Sequence, residues 1–217
     1  MKTAIITQAS DSTETLKTIY ERRAVRKYKD QPVDTGMIEK ILDAGRMAPS
    51  AINKQPWKFY ILTDKETIHS FSKEIAKIAA KDFIKSGPKQ IIKTIASLFH
   101  FSHGADLFRI ADPVFYKAPV VIFITAPKDN EWALLDIGMC AQNMMLAAKS
   151  MGLDSCPVGF GKYVEHAAIY SRLKVPSSER VELAVILGYG NETPDVHPRN
   201  RDNVFFIDGG THDKGKS

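Results

Sequence analysis

Pro119-Val120-Val121-Ile122-Phe123-Ile124-Thr125 is the stretch that decides the fold class. A strand with one wet face alternates apolar and polar residues, whereas this run is apolar from end to end. It therefore predicts a central strand covered on both faces. Working outward, Trp57 to Leu62 (WKFYIL) and Val181 to Leu187 (VELAVIL) are rich in aromatic and aliphatic residues and predict two further strands. The segments between them have helical spacing. From Met37, apolar residues recur at Ile38, Ile41, Leu42, Gly45 and Ala48, and Pro49 ends the pattern. Asp64 is placed to cap a helix reaching about Ser86, and Asp136 to Met151 is an apolar helix that Gly152 stops. Shorter helices are expected over Thr15 to Arg23 and Glu165 to Leu173, and Ser155 to Gly161 reads as glycine-rich and irregular. Strands separated by helices imply an α/β or α+β sandwich on one central sheet.

Length and composition narrow the class further. A chain of 217 residues fits one domain and buries a core without disulfides or a structural metal. The two cysteines, Cys140 and Cys156, form no framework and read as reduced thiols of a cytoplasmic protein. Met1 to Ser12 lacks an apolar stretch of signal-peptide length, and the longest apolar run, Ala118 to Ala126, is too short for a bilayer. A soluble protein with no membrane partner is expected. The 30 basic residues are offset by 25 acidic ones and spread along the chain, which argues against nucleic acid. A mild basic excess suits a phosphate-bearing cofactor or an anionic substrate.

One dense basic cluster stands out, Arg22-Arg23-Ala24-Val25-Arg26-Lys27. It reads either as a solvated turn or as an anion site, since guanidinium forks match phosphate oxygens and alternate arginines on an extended segment point the same way. The second candidate is Ala48-Pro49-Ser50-Ala51-Ile52-Asn53-Lys54-Gln55-Pro56-Trp57, a polar connection leading straight into a strand. Its Ser, Asn and Gln side chains and free amides suit the edge of a polar heteroaromatic ring, or simply local turns.

Taken in order, these pieces resemble the nitroreductase family of flavoproteins. The resemblance rests on Glu21-Arg22-Arg23-Ala24-Val25-Arg26-Lys27-Tyr28, Ala48-Pro49-Ser50 and Asn53-Lys54-Gln55-Pro56-Trp57. It continues through Asp136-Ile137-Gly138, Ala141-Gln142-Asn143, Met151-Gly152-Leu153, Cys156-Pro157-Val158-Gly159, Leu187-Gly188-Tyr189-Gly190 and Arg199-Asn200-Arg201. It spans about Ile19 to Arg201.

The resemblance implies an α+β sandwich whose central mixed or antiparallel sheet is flanked by helices. It implies one FMN-binding domain over 1–217 in an intertwined homodimer, with residues 1–14 a flexible arm and 188–217 wrapping the partner subunit. By the same resemblance, Arg22, Arg199 and Arg201 hold the FMN phosphate, and Arg23 and Ala24 lie along the flavin. Arg26 reaches the N1/O2 edge of the ring, where a fixed cation favours the reduced form. Ser50, Ala51, Asn53 and Gln55 come from the other subunit, and Pro157, Val158 and Gly159 line the inner side near N5. No side chain is assigned as a catalytic acid or base. The implied reaction is hydride transfer from NAD(P)H to nitroaromatic, quinone or similar electron-poor acceptors by a ping-pong mechanism. The alternatives are a related flavin enzyme (reductive dehalogenase, enone reductase or flavin-fragmenting enzyme) or a non-catalytic FMN-binding redox sensor. Ala24 departs from a serine common in relatives, and Gly159 from a glutamate that some carry. Lys89 to Pro113 aligns with nothing in the family and is the region that often walls the substrate side.

The remaining candidates read as structural. His100 and His103 lack nearby carboxylate or cysteine ligands for a metal. Cys140 reads as core and Cys156 as a spectator thiol. Phe99, Phe101, Phe108, Phe115 and Tyr116 read as core or dimer contacts, with a place over the flavin as the alternative. The absence of a Walker A or Rossmann glycine pattern makes NAD(P)H a visiting substrate.

Overall fold

The computed structural model describes residues 13–85, 112–200, 202–205 and 207, with the side chains of 82–85 set aside. The elements in chain order are α1 (Glu14–Glu21), α2 (Thr35–Arg46), β1 (Lys58–Leu62), α3 (Lys65–Lys85), β2 (Val120–Pro127), α4 (Ala133–Ser150), β3 (Asp154–Val158) and β4 (Glu179–Gly188). Short 3-10 turns cover Ala51–Asn53, Gly159–His166 and Ala168–Leu173. The four strands form one antiparallel sheet in the order β1-β2-β4-β3. The α+β expectation holds, and among the named strands the sheet is antiparallel throughout.

The apolar run behaves as its composition demands. Val120, Ile122, Ile124 and Ala126 face one core, with Ile38, Ile41 and Leu42 of α2 and Ile137, Cys140 and Met144 of α4. Val121 and Phe123 face the second, against Ile68, Phe71 and Ile75 of α3. Successive side chains of a strand alternate between faces, so a strand between two cores must be apolar at every position. Gly45 lets α2 close on α4, because a Cβ there would lie 2.7 Å from Met144 Cγ and 3.1 Å from Cys140 Sγ.

The helix starts follow capping chemistry. Asp34 accepts from Met37 N at 3.3 Å and Asp64 from Thr67 N at 2.8 Å. Gly152 ends the α4 turn at φ +79°. Asp136, expected at the start of its helix, lies inside the first turn of α4, which begins at Ala133. Its buried carboxylate accepts from Ala51 N at 3.1 Å instead, tying the Ser50–Gln55 loop to α4.

Two expectations are corrected. Ser155 to Val158, read as irregular, belongs to β3. Its Pro157 disguises a strand, yet β3 is an outer strand of the four, where proline is tolerated. Glu165 to Leu173 is not a single helix but parts of two 3-10 turns, separated by Ala167 in an extended conformation (φ −91°, ψ 141°). Gly161 lets the first of these turns lie on β4, since a Cβ there would sit 2.5 Å from Ala184 Cβ and 3.1 Å from its backbone nitrogen. Gly161→Ala is expected to cost about 1–3 kcal/mol through overpacking. The measurement is urea unfolding, with a lower midpoint at an unchanged slope.

Among the described residues, no helix is long and apolar enough to cross a membrane, and no cluster of three or more His, Cys, Asp or Glu could hold a metal ion. His100, His103, Phe99, Phe101, Phe108 and most of Lys89 to Pro113 lie outside the described residues.

Candidate cofactor site

The arginine segment leaves α1 and runs along the outer side of β3. Ala24 pairs with Ser155 in a parallel bridge, and Val25 N donates to Ser155 O at 3.1 Å. Further on, Tyr28 bridges Gly190, Lys29 N donates to Tyr189 O, and Asn191 N donates to Lys27 O, both at 2.8 Å. The Glu192 carboxylate accepts the backbone N–H groups of Arg26 and Lys27. Residues 22–29 are thus held between β3 and the chain leaving β4. This brings Arg22, Arg23, Ala24 and Arg26 to the strand that ends in Pro157 and Val158, with Gly159 next in sequence.

The charges there are unusual. Arg22 is partly buried, and its Nη1 has no hydrogen-bond partner among the described residues; the same holds for Arg23 Nε. Burial lowers the Arg22 guanidinium below its ordinary pKa, and the positive charges of Arg23 and Arg199 push it the same way. Three cations therefore share one neighbourhood. Arg23 is partly committed elsewhere, since its Nη1 donates to the carbonyls of Tyr20 and Arg22 at the end of α1. Arg199 donates to His197 O at 2.8 Å and is exposed. Arg201 lies outside the described residues.

Arg26 turns toward Tyr116, its guanidinium carbon 6.0 Å from the ring centroid. No local sequence pattern pairs Tyr116, which reads as a core or dimer contact with a place over the flavin as the alternative, with Arg26, ninety positions away. Cys156 is buried beside the same arginines; burial pushes its thiol up, while Arg26 and Arg22 pull it back. Cys140 is fully buried and its thiol is pushed up to about 12, also by burial. Neither thiol is poised as a thiolate, in keeping with the spectator reading.

The second candidate group sits elsewhere. Ser50, Ala51, Asn53 and Gln55 lead into β1, on the far side of the sheet from β3. The loop is tightly folded, with Ile52, Asn53 and Gln55 all at positive φ (46°, 54° and 46°). Ser50 Oγ accepts from Gln55 N at 2.9 Å, and Gln55 Nε2 donates to Asn53 Oδ1 at 3.1 Å. No described hydrogen bond joins this loop to the arginine segment. Two halves of the expected site are thus each well formed but lie apart within one chain.

Unburied apolar surface accompanies the loop. Within its own chain α1 buries no residue, leaving Leu16, Ile19 and Tyr20 exposed. Met47 at the end of α2, Ile52 in the loop, and Leu134 and Leu135 at the start of α4, to which Asp136 ties the loop, are exposed as well.

Comparison with known proteins identifies the family and the fold. A sequence model described as the nitroreductase family matches residues 19–189. The nitrobenzene nitroreductase of Ectopseudomonas oleovorans is 30% identical over 196 residues, covering 81% of this chain and 86% of that protein. The chloronitrobenzene nitroreductase of Comamonas testosteroni is 29% identical over 207 residues, covering 86% and 91%. The fold is shared with a nitroreductase from Desulfitobacterium hafniense crystallised with bound FMN, at a TM-score of 0.72 and 24% identity over 90% of this chain and 99% of that one. With the motifs in order, the fold in common and the match running from α1 to the end of β4, this chain belongs to the nitroreductase family.

Proposed function

We propose that this chain is an FMN-dependent oxidoreductase that works as a homodimer, passing hydride from NAD(P)H to nitroaromatics, quinones or similar electron-poor acceptors by a ping-pong mechanism. The observation that carries the reading is the pair of orphaned guanidinium nitrogens, Arg22 Nη1 and Arg23 Nε, within a cluster of three cations. Buried donors are normally paired, and repelling cations are held together at a cost unless an anion sits among them. A phosphate supplies both the charge and the acceptor oxygens, so the residues fit the phosphate end of FMN.

In this reading Arg22, Arg199 and Arg201 hold the phosphate, while Arg23 and Ala24 run along the cofactor. Arg26 keeps a positive charge at the pyrimidine edge, and Pro157, Val158 and Gly159 line the inner side of the ring. Ser50, Ala51, Asn53 and Gln55 serve the site of the opposite subunit, which suits their distance from Arg22 across the sheet. The exposed faces of α1 and of the start of α4 supply apolar surface for that dimer. Residues after 188 wrap the partner, with the exposed Val204, Phe205 and Ile207 as anchors. FMN, when bound, supplies the centre that accepts hydride from the donor and passes it to the acceptor. The side chains bind, orient and neutralise charge; none is assigned as an acid or base.

The test begins with the visible spectrum of the purified protein, then release and identification of any chromophore and NAD(P)H oxidation with a nitroarene added. FMN at about one per chain, with parallel double-reciprocal plots, is the expected result. A colourless protein that also fails to take up added FMN would overturn the cofactor, and intersecting plots would overturn the ping-pong order.

A further inference from the structure

Residues 112–117 close on the arginine segment through a turn that costs free energy to form. Tyr116 and Lys117 both adopt left-handed backbone, at φ 55° and 57°, which side-chain-bearing residues avoid unless their surroundings compel it. Asp112 supplies the compulsion. Its buried carboxylate accepts from Ser72 Oγ of α3 and from the backbone N–H groups of Val114, Phe115 and Lys117. Val114 and Phe115 are planted in the core, Phe115 edge-on to Phe123 at 5.8 Å. Pro113 and Lys117 are exposed, while Tyr116 is half-buried and faces Arg26.

Arg26 is consequently restrained twice. The Glu192 carboxylate accepts its backbone N–H, and the ring of Tyr116 lies 6.0 Å from its guanidinium carbon. Burial raises the Tyr116 phenol above its ordinary range, while the neighbouring charge of Arg26 pulls it back. A free arginine side chain has substantial rotamer freedom, and a charge that wanders stabilises a fixed neighbour poorly. We propose that Tyr116 is a positioning residue for the flavin, bracing the Arg26 guanidinium through its hydroxyl and ring so that the charge stays at the pyrimidine edge. The strained turn pinned by Asp112 exists to present it. This rests on the FMN reading given above.

The experiment compares the parent with Tyr116→Phe, Arg26→Ala and the double variant, measuring flavin midpoint potential, FMN content and melting temperature. Tyr116→Phe keeps the ring and the backbone and removes only the hydroxyl. With all variants measured at saturating FMN, the expected result is full FMN content in Tyr116→Phe and a potential lowered by Tyr116→Phe, by less than in Arg26→Ala. The double variant should fall no further than Arg26→Ala alone, because the tyrosine acts through the arginine. An unshifted potential in Tyr116→Phe, or a double variant showing the sum of the single shifts, would overturn the bracing role while leaving the cofactor reading intact. Bound FMN with no shift in Arg26→Ala would overturn both the placement of Arg26 and the bracing role. A parent that binds no FMN would overturn the cofactor reading and everything built on it.

Discussion

Arg22→Ala is expected to bind FMN about 10- to 100-fold more weakly than the parent, with the fold unchanged. The estimate comes from a charge-assisted hydrogen bond of about 1.5–3 kcal/mol, at about 1.4 kcal/mol per tenfold in affinity. Arg22 has the strongest case because its Nη1 is buried without a partner among the described residues and its pKa is held below the ordinary arginine range by burial first and by the charges of Arg23 and Arg199 after. Removing it from the cofactor-free protein relieves repulsion, so the apoprotein should hold or gain stability while the loaded protein loses it. That opposite sign separates an anion-binding arginine from a structural one. Fluorescence titration of apoprotein with FMN gives the affinity, and thermal melts with and without FMN give the signs. Equal affinity in variant and parent would remove Arg22 from the phosphate.

Asp112→Ala is expected to be the most destabilising of the substitutions considered, by at least about 3 kcal/mol. Its carboxylate is 2% exposed and accepts from three backbone N–H groups and from Ser72. Deleting it strands the buried Phe115 N–H and Ser72 hydroxyl, at about 1–3 kcal/mol each, and frees Tyr116 and Lys117 from left-handed conformations they would not otherwise hold. At about 2–4 °C per kcal/mol for a chain of this size, the melting temperature should fall by about 6–12 °C. Asp112→Asn should recover part of the loss, since one acceptor oxygen remains. A melting temperature within about 2 °C of the parent, under 1 kcal/mol on that scale, would mean that the turn is held by its core residues alone. The prediction also separates stability from positioning, because Tyr116→Phe leaves Asp112 and its partners intact.

Much of the architecture was legible in residue patterns because it depends on short-range regularities. An uninterrupted apolar run, Val120 to Ala126, has no stable place except between two covered faces, and it lies there. Apolar spacing from Ile38 to Gly45 specifies one buried helix face, and Asp34, Asp64 and Gly152 mark ends that only capping or positive φ explains. The arginine cluster was recognisable because guanidinium groups this dense require either solvent or an anion. Its membership in an ordered set of motifs pointed to the family.

Other features were beyond the reach of sequence. β3 was missed because Pro157 and Gly159 carry the composition of a loop, and a strand paired on β4 accepts proline where an inner strand would not. Asp136 marked the expected start of its helix, but the helix begins at Ala133 and tertiary packing makes Asp136 the anchor of the Ser50–Gln55 loop, eighty-five positions earlier. The encounter of Tyr116 with Arg26 depends on the sheet order, on the Asp112 turn and on the strap from Tyr189 to Glu192, none of which is encoded locally. By itself, then, the sequence determined three of the four strands, the main helices, their buried faces and the presence of a dense arginine cluster, since each follows from the chemistry of neighbours a few positions apart. Only the tertiary structure decided which of those residues meet, which guanidinium nitrogens are left without partners, and which half of the expected site lies across the sheet. Those outcomes depend on contacts between distant segments, where packing and desolvation rather than local propensity set the free energy.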